Sequence, residues 1–239
     1  MRSLGRTSGA QTPIPMNSCE TERPTLKLSE GLYRIDGVRG ANAYLVETDE
    51  GLLVVDTGLP GNAGRIVTFV RGLGHEPTDV HTIALTHSDP DHVGSVARLK
   101  ELTGAKVAIH ADDAAVLAGR AQGKKPKGAL GVAFSVMSRF MPVEPVEADV
   151  ILREGDTVSG FRVMHTPGHS PGSITLYRDD GVVFSGDALR SDSEGHVRPP
   201  RGVASPEYTQ ALASADKIAA LEYRMLLAGH GEPVFAERE

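Results

Sequence analysis

The sequence has a single cysteine, Cys19, and no tryptophan. One thiol cannot form an internal disulfide, so the fold must be stable without a cross-link, which fits a reducing compartment. The scarcity of thiols also excludes a zinc site built from several cysteines. Any bound metal must therefore be held by histidines and carboxylates.

Long apolar runs and an excess of positive charge are also missing. No apolar stretch approaches the roughly 18 residues of a membrane span, and the polar N-terminus has no apolar core of a secretory signal. A net charge of −6 argues against a nucleic-acid binder. We therefore expect a cytoplasmic protein with a small-molecule substrate and no membrane or nucleic-acid partner, and a homodimer stays open.

The order of apolar segments indicates one α/β domain. Residues 1–24 are polar and predict a loose tail, and residues 25–239 predict a single domain. Apolar strands such as LLVVD and HTIALTH alternate with amphipathic helices such as NAGRIVTFVRGLG and HVGSVARLKELTG. Residues 112–148 interrupt this order and predict a helical lid insertion.

A cluster of ligand-type residues follows the strand HTIALTH. The segment THSDPDHVGS places four potential metal ligands within six positions: His87, Asp89, Asp91 and His92. Three later apolar strands each end in a small-residue turn with one further ligand: His169, Asp187 and His230. Each turn alone is a weak signal, but together and in this order they predict a metal site at the ends of strands.

At these residues the chain resembles the metallo-β-lactamase superfamily. The resemblance implies an αββα sandwich, with two facing mixed β-sheets flanked by helices. It also implies a first metal on His87, Asp89 and His169, and a second on Asp91, His92 and His230. Asp187 would bridge two divalent ions, Asp91 would be catalytic, and Asp56 would orient ligands. Zinc is the favoured metal, with iron or manganese as alternatives.

Asp89 departs from the family pattern H-x-H-x-D-H, which has histidine at this position. A carboxylate is itself a metal ligand, so we interpret Asp89 as an altered ligand of a working site. The extra negative charge makes the two-metal core more neutral. It should therefore favour harder metals such as iron or manganese.

The resemblance implies a metallohydrolase in which a hydroxide activated by two metals cleaves a small ester, lactone, β-lactam, thioester or phosphoester. The apolar segment ALGVAFSVMSRFMPV in the lid favours acyl or lactone substrates. One alternative is a mononuclear non-haem iron enzyme like the persulfide dioxygenases. Another is a non-catalytic metal-binding sensor. Four further residues could line the substrate site: His110, Tyr208, Lys124 and Lys125.

Overall fold

The computed structural model describes residues 26–124 and 142–236, whose strands form two large sheets and a short ribbon. The predicted tail and the apolar lid segment ALGVAFSVMSRFM lie outside the described residues.

The first sheet begins as an antiparallel meander and continues as a parallel sheet. Its strands are adjacent in chain order: β1 (Leu26–Ser29), β2 (Leu32–Arg34), β3 (Tyr44–Thr48), β4 (Gly51–Val55), β5 (Val80–Ala84), β6 (Lys106–His110) and β7 (Val150–Leu152). Pairing is antiparallel from β1 to β4 and parallel from β4 to β7. The connections contain α1 (Ala63–Gly72), α2 (Pro90–Val93), α3 (Val96–Thr103) and α4 (Ala111–Leu117).

The second sheet is built from the later strands. These are β8 (Thr157–Val158), β9 (Phe161–His165), β10 (Ile174–Tyr177) and β11 (Val182–Gly186), then β14 (Met225–Ala228) and β15 (Val234–Phe235). A ribbon of β12 (Arg190–Ser191) and β13 (Val197–Arg198) and the helix α5 (Tyr208–Ala219) come between β11 and β14. Strands β11 and β14 pair in parallel, and the other neighbours are antiparallel.

Alternating side chains place the two sheets face to face. On β3, Tyr44 and Val46 join a core that also contains Phe161 and Phe184 of the second sheet, whereas Leu45 points to the other face. The rings of Tyr44 and Phe184 lie 5.3 Å apart between centroids. Burying each large apolar side chain contributes about 1.5–3 kcal/mol relative to its exposure. The core between the sheets therefore holds the two halves together.

Helices cover both outer faces. Ile66 of α1 and Leu99 of α3 pack on the outer face of the first sheet. Ile218 of α5 packs with Val183 and Leu226 of the second sheet. This arrangement confirms the predicted αββα sandwich. Within the described ranges, no helix is long and apolar enough to cross a membrane.

The predicted helix over residues 92–104 was wrong, because the structure divides it into α2 and α3. Ser95 donates a hydrogen bond from its Oγ to the Leu59 carbonyl at 2.7 Å and accepts one from the Asn62 N–H at 2.8 Å. A Cβ on Gly94 would lie 2.4 Å from Pro60, so the backbone at Gly94 closely approaches the loop that contains Leu59 and Pro60. These contacts interrupt the helix. Asp91 and His92 lie on the short helix α2.

Candidate metal centre

The predicted ligands come from both halves of the sandwich. Those of the first sheet lie between β5 and the end of α2: His87, Asp89, Asp91 and His92. Those of the second sheet follow β9, β11 and β14: His169, Asp187 and His230. The site therefore depends on the packing of the two sheets.

The ligand atoms form three overlapping groups, and within each group they lie within 4.8 Å of one another. The first-ion group is His87, Asp89 and His169; the second-ion group is Asp91, His92 and His230; a third group joins His87, His92 and Asp187. Asp187 lies between the first two groups. Its Oδ2 is 3.4 Å from His169 Nε2, and its Oδ1 is 3.6 Å from His230 Nε2. This geometry could hold two ions with Asp187 shared.

Asp56 orients the ring of His92. The buried carboxylate of Asp56 accepts a hydrogen bond from His92 Nδ1 at 2.7 Å, which directs Nε2 of that ring into the site, 3.3 Å from Asp187 Oδ1. Burial lowers the pKa of His92, but the charges of Asp56 and Asp187 outweigh burial and hold this pKa well above its ordinary value. The carboxylates thus favour a positive charge here, which a proton or a metal ion can supply.

Thr86 connects Asp56 to the next ligand, His87. The Thr86 hydroxyl donates to Asp56 Oδ2 at 2.8 Å and lies 3.1 Å from His87 Nδ1. Because its one proton goes to the carboxylate, the hydroxyl can only accept from His87 Nδ1. His87 therefore carries its proton on Nδ1 and directs the lone pair of Nε2 into the site. The sequence had not identified Thr86 as part of the site.

Three buried side-chain atoms among the described residues have no hydrogen-bond partner: His87 Nε2, His92 Nε2 and Asp187 Oδ1. An unsatisfied buried polar atom costs roughly 1–3 kcal/mol. All three atoms belong to the ligand groups, and imidazole nitrogen with carboxylate oxygen is a donor set for zinc or iron. The residues present therefore fit a metal ion.

The carboxylates of the site are held in their ionised form. Burial alone would raise the pKa of Asp187, but His92 and His169 help to hold it well below its ordinary value. Burial would also raise the pKa of Asp91, but the hydrogen bond with His230 lowers this pKa below its ordinary value. Ionised oxygens are the form that binds metal.

Asp89 belongs to the first-ion group, and the Lys124 side chain lies beside Asp89. Asp89 Oδ2 is 3.5 Å from His87 Nε2 and 3.2 Å from His169 Nε2. Lys124 Nζ is 2.7 Å from the same oxygen and contacts His169 Nε2. Burial would raise the pKa of Asp89, but the charges of His87 and Lys124 and hydrogen bonds with the histidines hold it well below its ordinary value. Lys124, predicted to line the substrate site, thus lies within the first-ion group.

Asp113, on α4, links the two loops that carry the predicted ligands, and no sequence pattern identified it. Its buried Oδ2 accepts hydrogen bonds from Ser88 N–H and Ser170 Oγ, and its Oδ1 accepts one from Gly172 N–H, each at 2.8 Å. Ser88 belongs to the first-sheet ligand segment, and the other two donors belong to the turn that carries His169. One carboxylate thereby fixes the spacing of the first-ion group.

Residues 168–172 match the pattern G-x-S-x-G, which in some hydrolases presents a serine nucleophile at a strand-to-helix turn. Here the segment joins two antiparallel strands, β9 and β10. Ser170 is buried, and its Oγ donates to Asp113 and lies 2.8 Å from Ser173 Oγ. Ser170 is therefore placed as a structural donor and not as a nucleophile.

Gly229 leaves space for two of the predicted ligands. A Cβ at this position would lie 2.6 Å from both Asp187 Oδ1 and His92 Cε1. Asn42 of the first sheet holds this turn, donating from its N–H to the Gly229 carbonyl at 2.7 Å and from Nδ2 to the Gly231 carbonyl at 2.9 Å. Only a glycine fits here without moving the ligands.

His110 lies apart from the three groups of predicted metal ligands. It is buried, and its ring stacks on that of His165 with the centroids 4.1 Å apart. Its Nδ1 accepts a hydrogen bond from the Asp112 N–H at 3.2 Å, and His165 Nε2 donates to the Pro171 carbonyl at 2.8 Å. Because the rings are parallel and these nitrogens are engaged, their lone pairs do not converge on an ion.

Tyr208, another suggested substrate-lining residue, does not enter the ligand groups. Tyr208 begins α5 and is 40% exposed, with its ring beside Gly202. Lys125 lies outside the described residues.

A cavity of about 460 Å³ opens beside Asp89 and Lys124. Its apolar walls include Pro90, Val93, Val116, Leu117, Val143 and Pro145. A polar end beside the ligand groups and an apolar body suit a substrate with a polar reacting bond and an apolar chain.

Comparison with known proteins gives consistent matches. The model of the metallo-beta-lactamase superfamily matches residues 36–230. The chain is 26% identical over 237 residues to probable metallo-hydrolase YflN of Bacillus subtilis (strain 168), covering 88% of this chain and 89% of the relative. It is 32% identical over 175 residues to acyl-coenzyme A thioesterase MBLAC2 of Gallus gallus, covering 64% of this chain and 59% of the relative.

A solved structure, that of TTHA1623 in a di-iron-bound form, superimposes with a TM-score of 0.63 at 29% identity. The match covers 82% of this chain and 89% of that chain.

Proposed function

The chain belongs to the metallo-beta-lactamase superfamily, and on that premise we propose that it is a metal-dependent hydrolase of small substrates with an apolar acyl part. The observation that carries the proposal is the convergence of His87 Nε2, His92 Nε2 and Asp187 Oδ1, buried and without hydrogen-bond partners among the described residues. Orphaned atoms of this kind are costly unless a ligand satisfies them.

The proposed cofactors are two divalent ions, one at the first-ion group and one at the second-ion group, with Asp187 shared. Zinc suits the nitrogen and oxygen donors. The additional carboxylate of Asp89 and the di-iron-bound relative support iron as the alternative, and manganese suits the same carboxylates. When bound, such ions supply Lewis acidity at the scissile carbonyl and lower the pKa of water toward neutrality.

The chain's own residues supply orientation and proton transfer. Asp56 and Thr86 fix the rings of His92 and His87, so those nitrogens need no reorganisation when substrate binds. Asp91 has a side chain that is 31% exposed, with its Oδ2 3.3 Å from His230 Nε2. Its carboxylate can therefore hold a proton released during hydrolysis, the catalytic role proposed for it.

The apolar cavity supports an acyl ester, thioester or lactone over a β-lactam or phosphoester. Its walls can bury a hydrocarbon chain while the reacting carbonyl stays beside Asp89. Each buried methylene contributes about 0.8 kcal/mol. The thioesterase among the relatives is compatible with this substrate class.

A mononuclear iron dioxygenase is the second candidate. His87, His169 and Asp187 would supply the two histidines and one carboxylate for such an iron, and His169 Nε2 lies 3.4 Å from Asp187 Oδ2. The contact of Lys124 with His169 counts against an ion at that position. Oxygen consumption with a persulfide, without ester hydrolysis, would favour this candidate.

The test is a panel of acyl thioesters, aryl esters, lactones, a chromogenic β-lactam and a phosphotriester, assayed with metal-loaded protein. We expect hydrolysis of the acyl substrates, with kcat/KM rising roughly fourfold for each added methylene until the cavity is filled. Asp187→Ala should lose at least a hundredfold, whereas Asp179→Ala, whose side chain is 84% exposed, should not change. No turnover of any class by metal-loaded protein would contradict the proposal and favour a non-catalytic sensor.

A further inference from the structure

Lys124 occupies the place where the first-ion group would hold an ion. Its Nζ is 2.7 Å from Asp89 Oδ2 and contacts His169 Nε2. These two atoms are 3.2 Å apart. The ammonium has three donors and no acceptor, so it can donate to both. The Lys124 side chain is 7% exposed, so this is a buried contact and not a solvated surface pair.

The two groups differ in what satisfies them. His87 Nε2, His92 Nε2 and the shared Asp187 Oδ1 have no hydrogen-bond partner among the described residues. In the first-ion group, the ammonium engages the other two members, Asp89 and His169. Among the ion pairs of the described residues, Asp91 and Asp187 pair only with histidines. The first-ion group therefore already contains a cation, and the second-ion group does not.

Electrostatic repulsion separates an ion from the ammonium. Lys124 Nζ lies 2.7 Å from Asp89 Oδ2 and contacts His169 Nε2, so an ion held by the same two atoms would lie within a few ångströms of the ammonium. Like charges a few ångströms apart repel strongly where water is excluded. An ion at the first-ion group and the ammonium on Asp89 therefore exclude each other.

We propose that Lys124 is a built-in cation of the first-ion group and competes with a metal ion for it. The chain then binds one divalent ion tightly at the second-ion group. A further ion binds only when the ammonium leaves Asp89. The aspartate at position 89 makes this pairing stable, because a carboxylate forms an ion pair with an ammonium and an imidazole does not. The inference rests on the proposed function, since it concerns the loading of the same site.

The experiment is a calorimetric titration of metal-stripped full-length chain with Zn²⁺. The parent should bind one ion tightly and a second at least tenfold more weakly. Lys124→Met keeps the length and apolar stem of the side chain without its charge. In this variant the second Kd should fall at least tenfold, and the first should change less than threefold. Lys100→Met is the matched control, because Lys100 pairs with Asp149 and not with a ligand.

Three results would overturn the inference. The first is that the parent binds two ions with equal, high affinity. The second is that Lys124→Met and Lys100→Met bind the second ion with the same affinity. The third is a Zn²⁺ titration of Lys124→Met that matches the parent while the KM for acyl substrates rises, which would make Lys124 a substrate anchor. If no variant binds any ion, the proposed function fails and the inference with it. Should Lys124→Met not fold by circular dichroism, Lys124→Gln serves in the same titration.

Discussion

One hydroxyl group, that of Thr86, links two metal-ligand candidates to one carboxylate. It donates to Asp56 and lies beside the Nδ1 atom of His87. Thr86→Val keeps the shape but removes the hydroxyl. We expect its affinity for Zn²⁺ to fall by about 10–100-fold, because the ring of His87 is no longer held in one tautomer.

Thr86→Ser is the control, since it retains the oxygen. Competition with a chromophoric chelator measures the affinity of both variants, and Ser should stay within threefold of the parent. Equal affinities of the Val and Ser variants would show that the hydroxyl does not orient the ligand.

A second prediction at the residue scale concerns Gly229. The new methyl group of Gly229→Ala would meet Asp187 and His92 at 2.6 Å, so one ligand must move. We expect at least a tenfold loss of metal affinity and about 1–3 kcal/mol of lost stability. Gly64→Ala on α1 has no atom within 4 Å and should be neutral or slightly stabilising. Equal Zn²⁺ affinities of the two variants would show that the space left by the missing Cβ of Gly229 does not matter for metal binding.

At the scale of elements, α4 positions two loops through Asp113. Asp113→Ala leaves the donors Ser88 N–H, Ser170 Oγ and Gly172 N–H without their acceptor. Urea denaturation should show a loss of roughly 3 kcal/mol or more in the free energy of unfolding. The neighbouring Asp112→Ala, whose side chain is 54% exposed, should stay within about 0.5 kcal/mol. Similar losses in the two variants would refute the linking role.

The start of α4 also makes stability depend on pH. His110 caps this helix, and its burial and the nearby His165 lower its pKa. A histidine with a lowered folded pKa takes up its proton more readily when unfolded, so stability present above about pH 6.5 is lost as the pH falls. His110→Asn keeps a capping acceptor without this titration.

The corresponding measurement is the free energy of unfolding of metal-free protein at pH 8 and pH 5.5. His110→Asn should lose less stability on acidification than the parent, and His196→Asn, an exposed control, should lose as much as the parent. A loss in His110→Asn equal to that of the parent would contradict this assignment.

At the scale of the whole molecule, the order of apolar segments predicted an α/β domain, and the family resemblance implied the sandwich that the structure shows. Central strands such as LLVVD are apolar on both faces because one face packs on helices and the other on the second sheet. Each of these predicted ligands follows such a strand within a few residues, so local sequence was sufficient to nominate His87, His169, Asp187 and His230. The resemblance then supplied their grouping.

Local sequence could not reveal the residues that act across the fold. Asn42 bonds to Gly231 over 189 positions, and Asp113 bonds to Gly172 over 59 positions. Neither residue stands in a pattern that differs from an ordinary turn or helix start. The division between α2 and α3 was missed for the same reason, because it depends on contacts of Ser95 with a distant loop. The side chain of Lys124 could likewise be placed only once both sheets were packed.

The central claim is that the buried, unpartnered atoms of this site are metal ligands. Anomalous X-ray diffraction from crystals of metal-loaded protein, collected at the absorption edge of the added metal, tests it most directly. We predict a strong peak at about 2.0–2.2 Å from His92 Nε2 and from an oxygen of Asp187, the distances of coordinated nitrogen and oxygen. Metal-loaded crystals without an anomalous peak between these atoms, or with ions bound only elsewhere, would contradict the account.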